Sequence, residues 1–421
     1  MATSSLIQAI KDFERIYLDG KEFQGSICVV DNGEETLKYG CGKKLSMPIG
    51  SITKVFTAVA IFQLIERGDI ALTTKAMSLL GAEFKSLGSI TISHLLNHES
   101  GLGDYLYDLK NNYDIEKNEV IDIILKTPKL FLPGEKQFYS NSGFYILGLI
   151  IEKVTNQCWD SYIRKHILIP SKMQDTHFSK LAFNEVAKVN DKLEVVTDIP
   201  LDITFSAGQL SSSTDDLVRF SDNLTKFKLL KEHSFNAYLI NNEKNNGFFK
   251  YAHGGLGHSG DTLAFSSDFI FSNDGSKVVA IISSIKCVEI RDLSSKLFAI
   301  ISGKLIDRDT RLYSYDSTYM NKLKYGRYTV NPVTKKRLFG VLDCEHIDLI
   351  QEVLIEKYRK GIKISFKDCS SAYLRQLNDL TFLDSTNGIS LEFKEETNSF
   401  ILSQSNVYID YFHKTETVVV Q

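Results

Sequence analysis

The feature that most constrains the fold is a nearly unbroken apolar run from Val55 to Ile65, within the stretch "PIGSITKVFTAVAIFQLIERG". A helix that spans a bilayer needs about 20 apolar residues, so this run is too short to be one. Gly68 follows it and is the residue type that commonly ends a helix. The run therefore predicts a helix over residues 51–67 that packs into the core of a globular protein.

Patterns typical of strands lie on both sides of a mainly helical middle. The segments "SICVVD" and "ETLKYGC" predict a hairpin near the start, and "TLAFSSDFIFSNDGSKVVAIISSI" predicts two strands joined by a turn. Residues from about 73 to 200 are mainly helical in pattern. We therefore expect an α+β fold, with one antiparallel sheet flanked by helices and a helical subdomain.

The character of the sequence changes after residue 308. Segments such as "YGRYTVN", "GIKISFKD" and "ISLEFKEE" are short, alternate in polarity and are separated by turns, which predicts a small β domain. The length of 421 residues also favours more than one domain. We place the boundary near residue 310 and predict domains at 1–308 and 309–421.

Composition excludes several classes of partner. The chain has 49 basic and 52 acidic residues, and no basic block indicates a nucleic-acid partner, so a small molecule or peptide is the expected substrate. No apolar segment is long enough to predict a membrane span. The six cysteines are scattered, which favours reduced thiols over disulfides. The oligomeric state is not indicated.

The first residues read as an amphipathic helix and not as an export signal. No basic segment followed by an apolar core is present, so we expect a cytoplasmic location. The apolar stripe of this helix consists of Leu6, Ile7, Ile10, Phe13 and Ile16.

Ser51 and Lys54 are three residues apart at the start of the predicted core helix. This spacing brings both side chains to one face, where a neutral lysine can take a proton from a serine hydroxyl. Burial against Val55 and Phe56 would lower the pKa of Lys54 and make the neutral amine available. The alternative is that Ser51 caps the helix and Lys54 is a solvated surface charge.

Two later segments carry further polar residues. "FLPGEKQFYSNSGFYILG" presents Tyr139 and Asn141 just before a predicted helix, and "YAHGGLGHSGDT" presents His258, Ser259 and Gly260 at a predicted strand. With "IGSITKVFTA" and "SHLLNHESGL", these motifs resemble the serine β-lactamase and penicillin-binding-protein superfamily, specifically its class C-like branch, over residues 20–300. The order S-x-x-K, Y-x-N and H-x-G is that of the superfamily.

The resemblance implies a β-lactamase or transpeptidase-like fold and a serine hydrolase that works through an acyl-enzyme. Ser51 would be the acylated nucleophile, and Lys54 and Tyr139 would share its proton. Tyr139 would also pass a proton to the leaving group. No cofactor is implied.

The resemblance also implies the groups that hold the substrate. Asn141 would bind the amide on the acyl side, and His258, Ser259 and Gly260 would line the opposite rim. Backbone N–H groups of the nucleophile and of Asp261 would form the oxyanion hole. The segment "KYGRYTV" is similar to the start of the lipocalin-like barrel found in many relatives, where it can roof the active site. A stabilising or oligomerising cap is the alternative role.

Two residues depart from the pattern of most relatives. His258 stands where many have a lysine, and Asp261 adds a carboxylate beside the site. Both weaken attraction for an anionic group. We therefore expect a neutral or cationic substrate end: an ester, a D-amino-acid amide or an acyl carrier thioester.

The predicted function is a serine hydrolase acting on an amide or ester bond. Three alternatives stay open: a β-lactamase or DD-carboxypeptidase, an acyltransferase or peptide cyclase of secondary metabolism, and a non-catalytic binding module. His94 and His98 have the spacing of a metal pair, but no third ligand follows and no metal is expected. His253 beside two glycines indicates loop structure. The chain lacks a G-x-S-x-G motif, which disfavours an α/β-hydrolase triad.

Overall fold

The structure is a computed structural model, with eleven α-helices among the residues that it describes. It describes residues 2–18, 22–40, 46–109, 113–179, 184–189, 192–197, 199–284, 287, 290–304, 323–330, 351–358, 361–367, 371–376, 380–384, 389–394, 399–404 and 407–413. Within these ranges the α-helices are α1 (Ala2–Tyr17), α2 (Thr53–Glu66), α3 (Ala76–Leu80), α4 (Ile92–Leu96), α5 (Tyr105–Asp108), α6 (Lys117–Lys126), α7 (Asn141–Thr155), α8 (Trp159–Ile163), α9 (Thr214–Thr225), α10 (Glu232–Phe235) and α11 (Ile290–Ile301).

The strands form four groups. They are β1 (Gly25–Asp31), β2 (Glu34–Gly40), β3 (Met47–Pro48), β4 (His177–Phe178), β5 (Asn184–Val189), β6 (Lys192–Thr197), β7 (Leu210–Ser212), β8 (Phe249–Tyr251), β9 (Gly255–Asp261), β10 (Ser266–Ser272), β11 (Val278–Ser283), β12 (Gly326–Val330), β13 (Glu352–Tyr358), β14 (Gly361–Ser365), β15 (Ser371–Gln376), β16 (Thr381–Asp384), β17 (Ile389–Phe393), β18 (Ser399–Gln404) and β19 (Val407–His413).

The main sheet has six strands in the order β2-β1-β11-β10-β9-β8. Neighbouring strands are antiparallel, with Gly25 opposite Ser283 and Ser266 opposite Asp261. Strands β9, β10 and β11 are buried along nearly their whole length because helices cover both faces of the sheet. The predicted antiparallel sheet, built from both ends of a helical middle, is confirmed.

Helix α2 is the centre of the larger core. It is buried almost all round, as its apolar sequence requires, and it packs against α7. The predicted helix is confirmed, but it begins as a tight 3-10 turn over Gly50–Ile52 that contains Ser51. The apolar stripe of α7, which consists of Ile146, Leu149 and Ile150, is also buried.

Helix α1 packs on the opposite face of the sheet beside α11. Leu6, Ile10 and Phe13 are buried there as predicted. Ile7 was assigned to the same stripe, and this is wrong: its side chain is 40% exposed, because it lies just outside the face that contacts the sheet. The side chain of Ile16 lies outside what the structure describes.

The middle of the chain is mainly helical, as predicted, with α3 to α8 between residues 76 and 163. Residues 184–197 differ, because β5 and β6 pair there as an antiparallel hairpin. A small sheet in the order β3-β7-β4 completes this part. No helix among the described residues is long and apolar enough to cross a bilayer.

The last eight strands, β12 to β19, form a closed antiparallel barrel. Its interior is filled by alternating apolar side chains, among them Tyr328, Ile355, Phe382, Phe400 and Tyr411. The small C-terminal β domain predicted from the sequence is therefore present. The boundary predicted near residue 310 lies outside the described residues, so the division at 308 stays a prediction.

The cysteines that the structure describes form no disulfide. Cys28 and Cys287 are buried and Cys158 is exposed. Cys41, Cys344 and Cys369 lie outside the described residues.

Candidate active site

Ser51 lies in the 3-10 turn between the small strand β3 and helix α2. The turn is held in place because the Ile49 N–H donates to the carbonyl oxygen of Leu210 over 3.0 Å. Gly50 has a φ of 47°, and a Cβ there would lie 2.8 Å from the backbone oxygen of Asp261 and 2.9 Å from its nitrogen. Only glycine combines this backbone conformation with such a close approach. The backbone of Ser51 is therefore brought next to the end of β9.

The side chain of Lys54 is fully buried one turn along, with an exposed fraction of 0%. Its Nζ lies 2.8 Å from Ser51 Oγ, 2.7 Å from Asn141 Oδ1 and 2.8 Å from the carbonyl oxygen of Ala207. The two carbonyl oxygens only accept hydrogen bonds, so a neutral amine uses its two N–H groups on them. Its lone pair then faces the Ser51 hydroxyl. The alternative of a helix cap and a solvated lysine is wrong.

Burial sets the protonation of Lys54. Loss of hydration lowers the pKa of its amine from 10.5 to about 7, and the negative charge of Asp104 opposes this shift. At neutral pH a substantial fraction of Lys54 is therefore the neutral amine, which is the form that can accept a proton.

Tyr139 ends the loop that leads into α7. Its ring is 40% exposed, stacks on His98 with 4.4 Å between ring centroids, and has the Lys54 Nζ 5.0 Å from its own centroid. Loss of hydration at its hydroxyl raises the pKa of Tyr139, although a hydrogen bond with the Ser51 side chain opposes this. Tyr139 therefore stays a phenol at neutral pH, able to donate a proton.

Asn141 is the first residue of α7, and its side-chain amide is engaged at both ends. Oδ1 accepts from Lys54 over 2.7 Å, and Nδ2 donates to Asp104 Oδ2 over 2.7 Å. The second hydrogen on Nδ2 remains available. A contact of this amide with substrate therefore stays a prediction.

His258 lies in the middle of β9, with an exposed fraction of 1%. Its Nδ1 donates to the carbonyl oxygen of Ser259, which leaves Nε2 as an acceptor, and Nε2 has no hydrogen-bond partner. The ring stacks on Phe249 with 4.0 Å between centroids. Burial and the charge of Lys54 lower the pKa of His258 well below its usual value, so the ring is neutral.

The other residues of the H-x-G motif pack directly on the 3-10 turn that contains Ser51. Ser259 is buried, and a Cβ on Gly260 would lie 1.9 Å from the carbonyl oxygen of Ile49. The Ser267 hydroxyl bonds to the carbonyl oxygens of Ile49 and Gly260 over 3.0 and 3.1 Å. This packing brings the backbone nitrogen of Asp261 beside the Ser51 turn, which is the arrangement that an oxyanion hole needs.

Two charged residues near the site were not predicted from the sequence. Arg291, on α11, forms an ion pair with the carboxylate of Asp261, which also accepts from Ser266 Oγ over 2.7 Å. Asp261 was expected to add a negative charge beside the site, and the pair with Arg291 compensates that charge. Asp104 is the second residue, and its place just after the phrase "SHLLNHESGL" was the only sequence indication.

Three further histidines, for which the sequence predicted neither a metal nor a catalytic role, lie in structural positions. His94 Nδ1 accepts from the Thr91 N–H over 3.3 Å in a cap of α4. His98 Nδ1 accepts from the Ser140 N–H over 3.2 Å and supports the Tyr139 ring. His253 lies in the turn between β8 and β9 with a φ of 63°.

Among the described residues, one cluster has the side-chain types of a metal site: Cys28, Glu35 and Asp215. The Lys38 ammonium group contacts both carboxylates there, and burial raises the pKa of the Cys28 thiol to about 12. The cluster is therefore balanced by an internal cation and is not poised to bind a metal.

A family model described as Beta-lactamase matches residues 11–286. The chain belongs to the beta-lactamase family. Among curated proteins it is similar to penicillin-binding protein 4* of Bacillus subtilis, with 30% identity over an alignment of 260 positions that covers 52% of this chain and 57% of the relative. The chain thus spans little more than half of that relative's length.

Two solved structures show the same fold. A D-stereospecific amidohydrolase from Streptomyces matches with a TM-score of 0.60 and 24% identity, over 70% of this chain and 97% of its own. The octameric penicillin-binding protein homologue from Pyrococcus abyssi matches with a TM-score of 0.62 and 20% identity, over 97% of this chain and 99% of its own.

Proposed function

We propose that the chain is a serine hydrolase that cleaves an amide or ester bond through an acyl-enzyme on Ser51. One observation carries the proposal: the Ser51 Oγ lies 2.8 Å from the Nζ of a buried Lys54 whose other two contacts are carbonyl oxygens. A hydroxyl needs a base within hydrogen-bond reach to attack a carbonyl carbon, and this arrangement supplies one.

The steps follow from these contacts. Ser51 Oγ forms a bond to the carbonyl carbon of the substrate while its proton moves to Lys54 Nζ. Backbone N–H groups of Ser51 and Asp261 stabilise the negative charge on the substrate oxygen. The bond to the leaving group then breaks, and the leaving group takes a proton from the Tyr139 hydroxyl, which recovers one from Lys54.

In the hydrolysis of the acyl-enzyme, the proton moves from the attacking water to Lys54 and then back to Ser51. A water molecule attacks the ester carbonyl and gives a proton to the neutral Lys54. The ester bond breaks, Ser51 Oγ regains this proton, and the acid product leaves. Lys54 accepts the proton of the attacking group in both halves of the reaction, so no other base is needed.

The substrate end at His258 is neutral or donates a hydrogen bond. His258 is uncharged and offers an acceptor at Nε2, and the Asp261 carboxylate is compensated by Arg291. The neutral His258 favours an ester, an amide of a D-amino acid or an acyl carrier thioester over a carboxylate, whereas the compensated Asp261 adds no further discrimination. Amides of D-amino acids are the first to test, because a D-stereospecific amidohydrolase shares the fold.

Intact-mass analysis after incubation with a fluorophosphonate tests the proposal. We expect one adduct on the wild-type protein and none on Ser51→Ala. An unlabelled wild-type protein that is folded, as judged by circular dichroism, would contradict the proposal and favour a non-catalytic binding module.

A β-lactamase or DD-carboxypeptidase is the second candidate, because one relative is a penicillin-binding protein. Incubation with penicillin separates the two. A stable or turned-over penicillin adduct on Ser51 would favour this candidate, whereas fluorophosphonate labelling without a penicillin adduct would favour the first.

A further inference from the structure

Asp104 is a buried carboxylate that no step of the proposed reaction uses. Its exposed fraction is 8%, and it lies immediately before α5. Its Oδ1 accepts from the Leu106 N–H over 3.1 Å, which caps the helix. Its Oδ2 accepts from two groups of Asn141, the backbone N–H over 3.2 Å and the side-chain Nδ2 over 2.7 Å.

These contacts fix the direction of the Asn141 amide. An asparagine side chain has one donor end and one acceptor end, and a carboxylate only accepts. Asp104 therefore holds Nδ2 toward itself and leaves Oδ1 facing the Lys54 Nζ over 2.7 Å. A flipped amide would place two oxygens against each other at one end and two donors at the other.

We propose that Asp104 is a positioning residue: it acts through Asn141 to aim an acceptor at Lys54 and supplies the negative charge that faces the Lys54 amine across the amide. The inference rests on the proposed function of Lys54 as the base for Ser51. A purely structural role in capping α5 would require only the Leu106 contact.

The charge balance around Lys54 makes the contribution of Asp104 measurable. The other titratable groups that surround Lys54 are Tyr139, His98 and His258, and at neutral pH all three are uncharged. Burial raises the pKa of Asp104, whereas the N–H groups that bond to its carboxylate oppose this and favour the charged form. The charge of Asp104 in turn raises the pKa of Lys54, against the larger lowering by burial. The Arg291–Asp261 pair lies beyond Tyr139 and is internally compensated.

The test measures the rate constant for fluorophosphonate labelling of Ser51 between about pH 5 and pH 9.5. Asp104→Asn removes the charge and keeps one acceptor oxygen, which can serve either Asn141 or the Leu106 N–H but not both. We expect its labelling midpoint to fall by about one pH unit relative to wild type, because an opposite charge at this range shifts a pKa by about that much. The plateau rate falls by up to about tenfold because the base is weaker.

Asp108→Asn is the matched control. It makes the same charge change on the same short helix, but Asp108 is exposed and bonds to the Thr127 hydroxyl over 2.8 Å. Its midpoint is expected to equal that of wild type. An equal shift in this control would overturn the inference, because the effect would then come from the general field of the protein.

Asp104→Ser guards against a folding defect. Serine keeps the helix cap and removes both the charge and the reach to Asn141. We expect the same downward shift in this variant, with a thermal midpoint near that of wild type. An unchanged midpoint in either folded variant would overturn the inference while leaving Ser51 reactive. A wild-type protein that is not labelled at all would overturn the proposed function itself.

Discussion

Raising the pH is expected to turn on the reactivity of Ser51 with a midpoint near 7, because this is where the buried Lys54 loses its proton. Below the midpoint, Lys54 is an ammonium group that donates to Ser51 and cannot accept its proton. Above it, the lone pair of the amine faces the hydroxyl and the rate reaches a plateau.

The size of the effect follows from the shift. An ordinary lysine with a pKa of 10.5 is neutral in only about 0.03% of molecules at pH 7, whereas one with a pKa of about 7 is neutral in about half of them. Burial therefore increases the reactive fraction by about three orders of magnitude. His98, with a pKa lowered to about 3, and His258, lowered well below its usual value, contribute no transition near pH 7.

Fluorophosphonate labelling followed by intact mass gives the rate at each pH without knowledge of the natural substrate. Lys54→Arg is the informative variant, because guanidinium stays charged and labelling is expected to fall at least about 1,000-fold at every pH. Asp268→Asn is the control, since burial also raises the pKa of Asp268 to about 7 on the other side of the sheet. A midpoint above about pH 9.5 in wild type, or one that disappears in Asp268→Asn, would refute the reasoning.

Three further predictions concern the elements around the site. Gly260→Ala forces a Cβ to 1.9 Å from the backbone carbonyl oxygen of Ile49, and labelling is expected to fall about 100-fold or more. Gly254→Ala is the control for backbone strain alone: its φ of 78° disfavours a side chain, but no heavy atom lies within 4 Å of the new Cβ, and labelling is expected to stay near the wild-type rate. Arg291→Gln leaves the Asp261 charge uncompensated beside the developing oxyanion and is expected to slow labelling about tenfold. Adding Asp261→Asn to this variant is expected to restore the rate. A double-mutant cycle that shows no coupling between the two substitutions would contradict the pairing. The third prediction concerns stability: the pKa of the Asp268 carboxyl is near 3.8 in the unfolded chain and about 7 in the folded protein. Between these pH values the folded state binds more protons, so the free energy of unfolding falls as the pH rises. Urea titrations are expected to show a loss of up to about 4 kcal/mol that Asp268→Asn lacks.

The parts of the fold that the sequence predicted correctly are those where local pattern and burial agree. Helix α2 is apolar on every side and is buried on nearly every side, and β10 and β11 are apolar because helices cover both faces of the sheet. Ile7 has the spacing of the buried stripe on α1 but is exposed. The helical period assigns to the stripe more positions than the face that contacts the sheet actually buries.

The hairpin of β5 and β6 was missed for a different reason. Its strands alternate between charged and aliphatic residues with a period of two, which is typical of a strand. They follow more than 100 residues of mainly helical pattern, however, and were therefore included in the predicted helical middle. The dipeptide Asn190-Asp191, whose residue types favour turns, was the available local indication in the sequence.

The electrostatic groups of the site could not be predicted because their partners are distant in the sequence. Asp104 meets Asn141 across 37 positions and Arg291 meets Asp261 across 30, and no periodicity links residues so far apart. The sequence therefore indicated a negative charge at Asp261 that the fold cancels. The expectation of a substrate end that is not anionic keeps its other support, the neutral His258 with its acceptor at Nε2. The electrostatics at His258 and Asp261 thus depend on one tautomer and one ion pair, and the charges of the motif residues alone do not determine them.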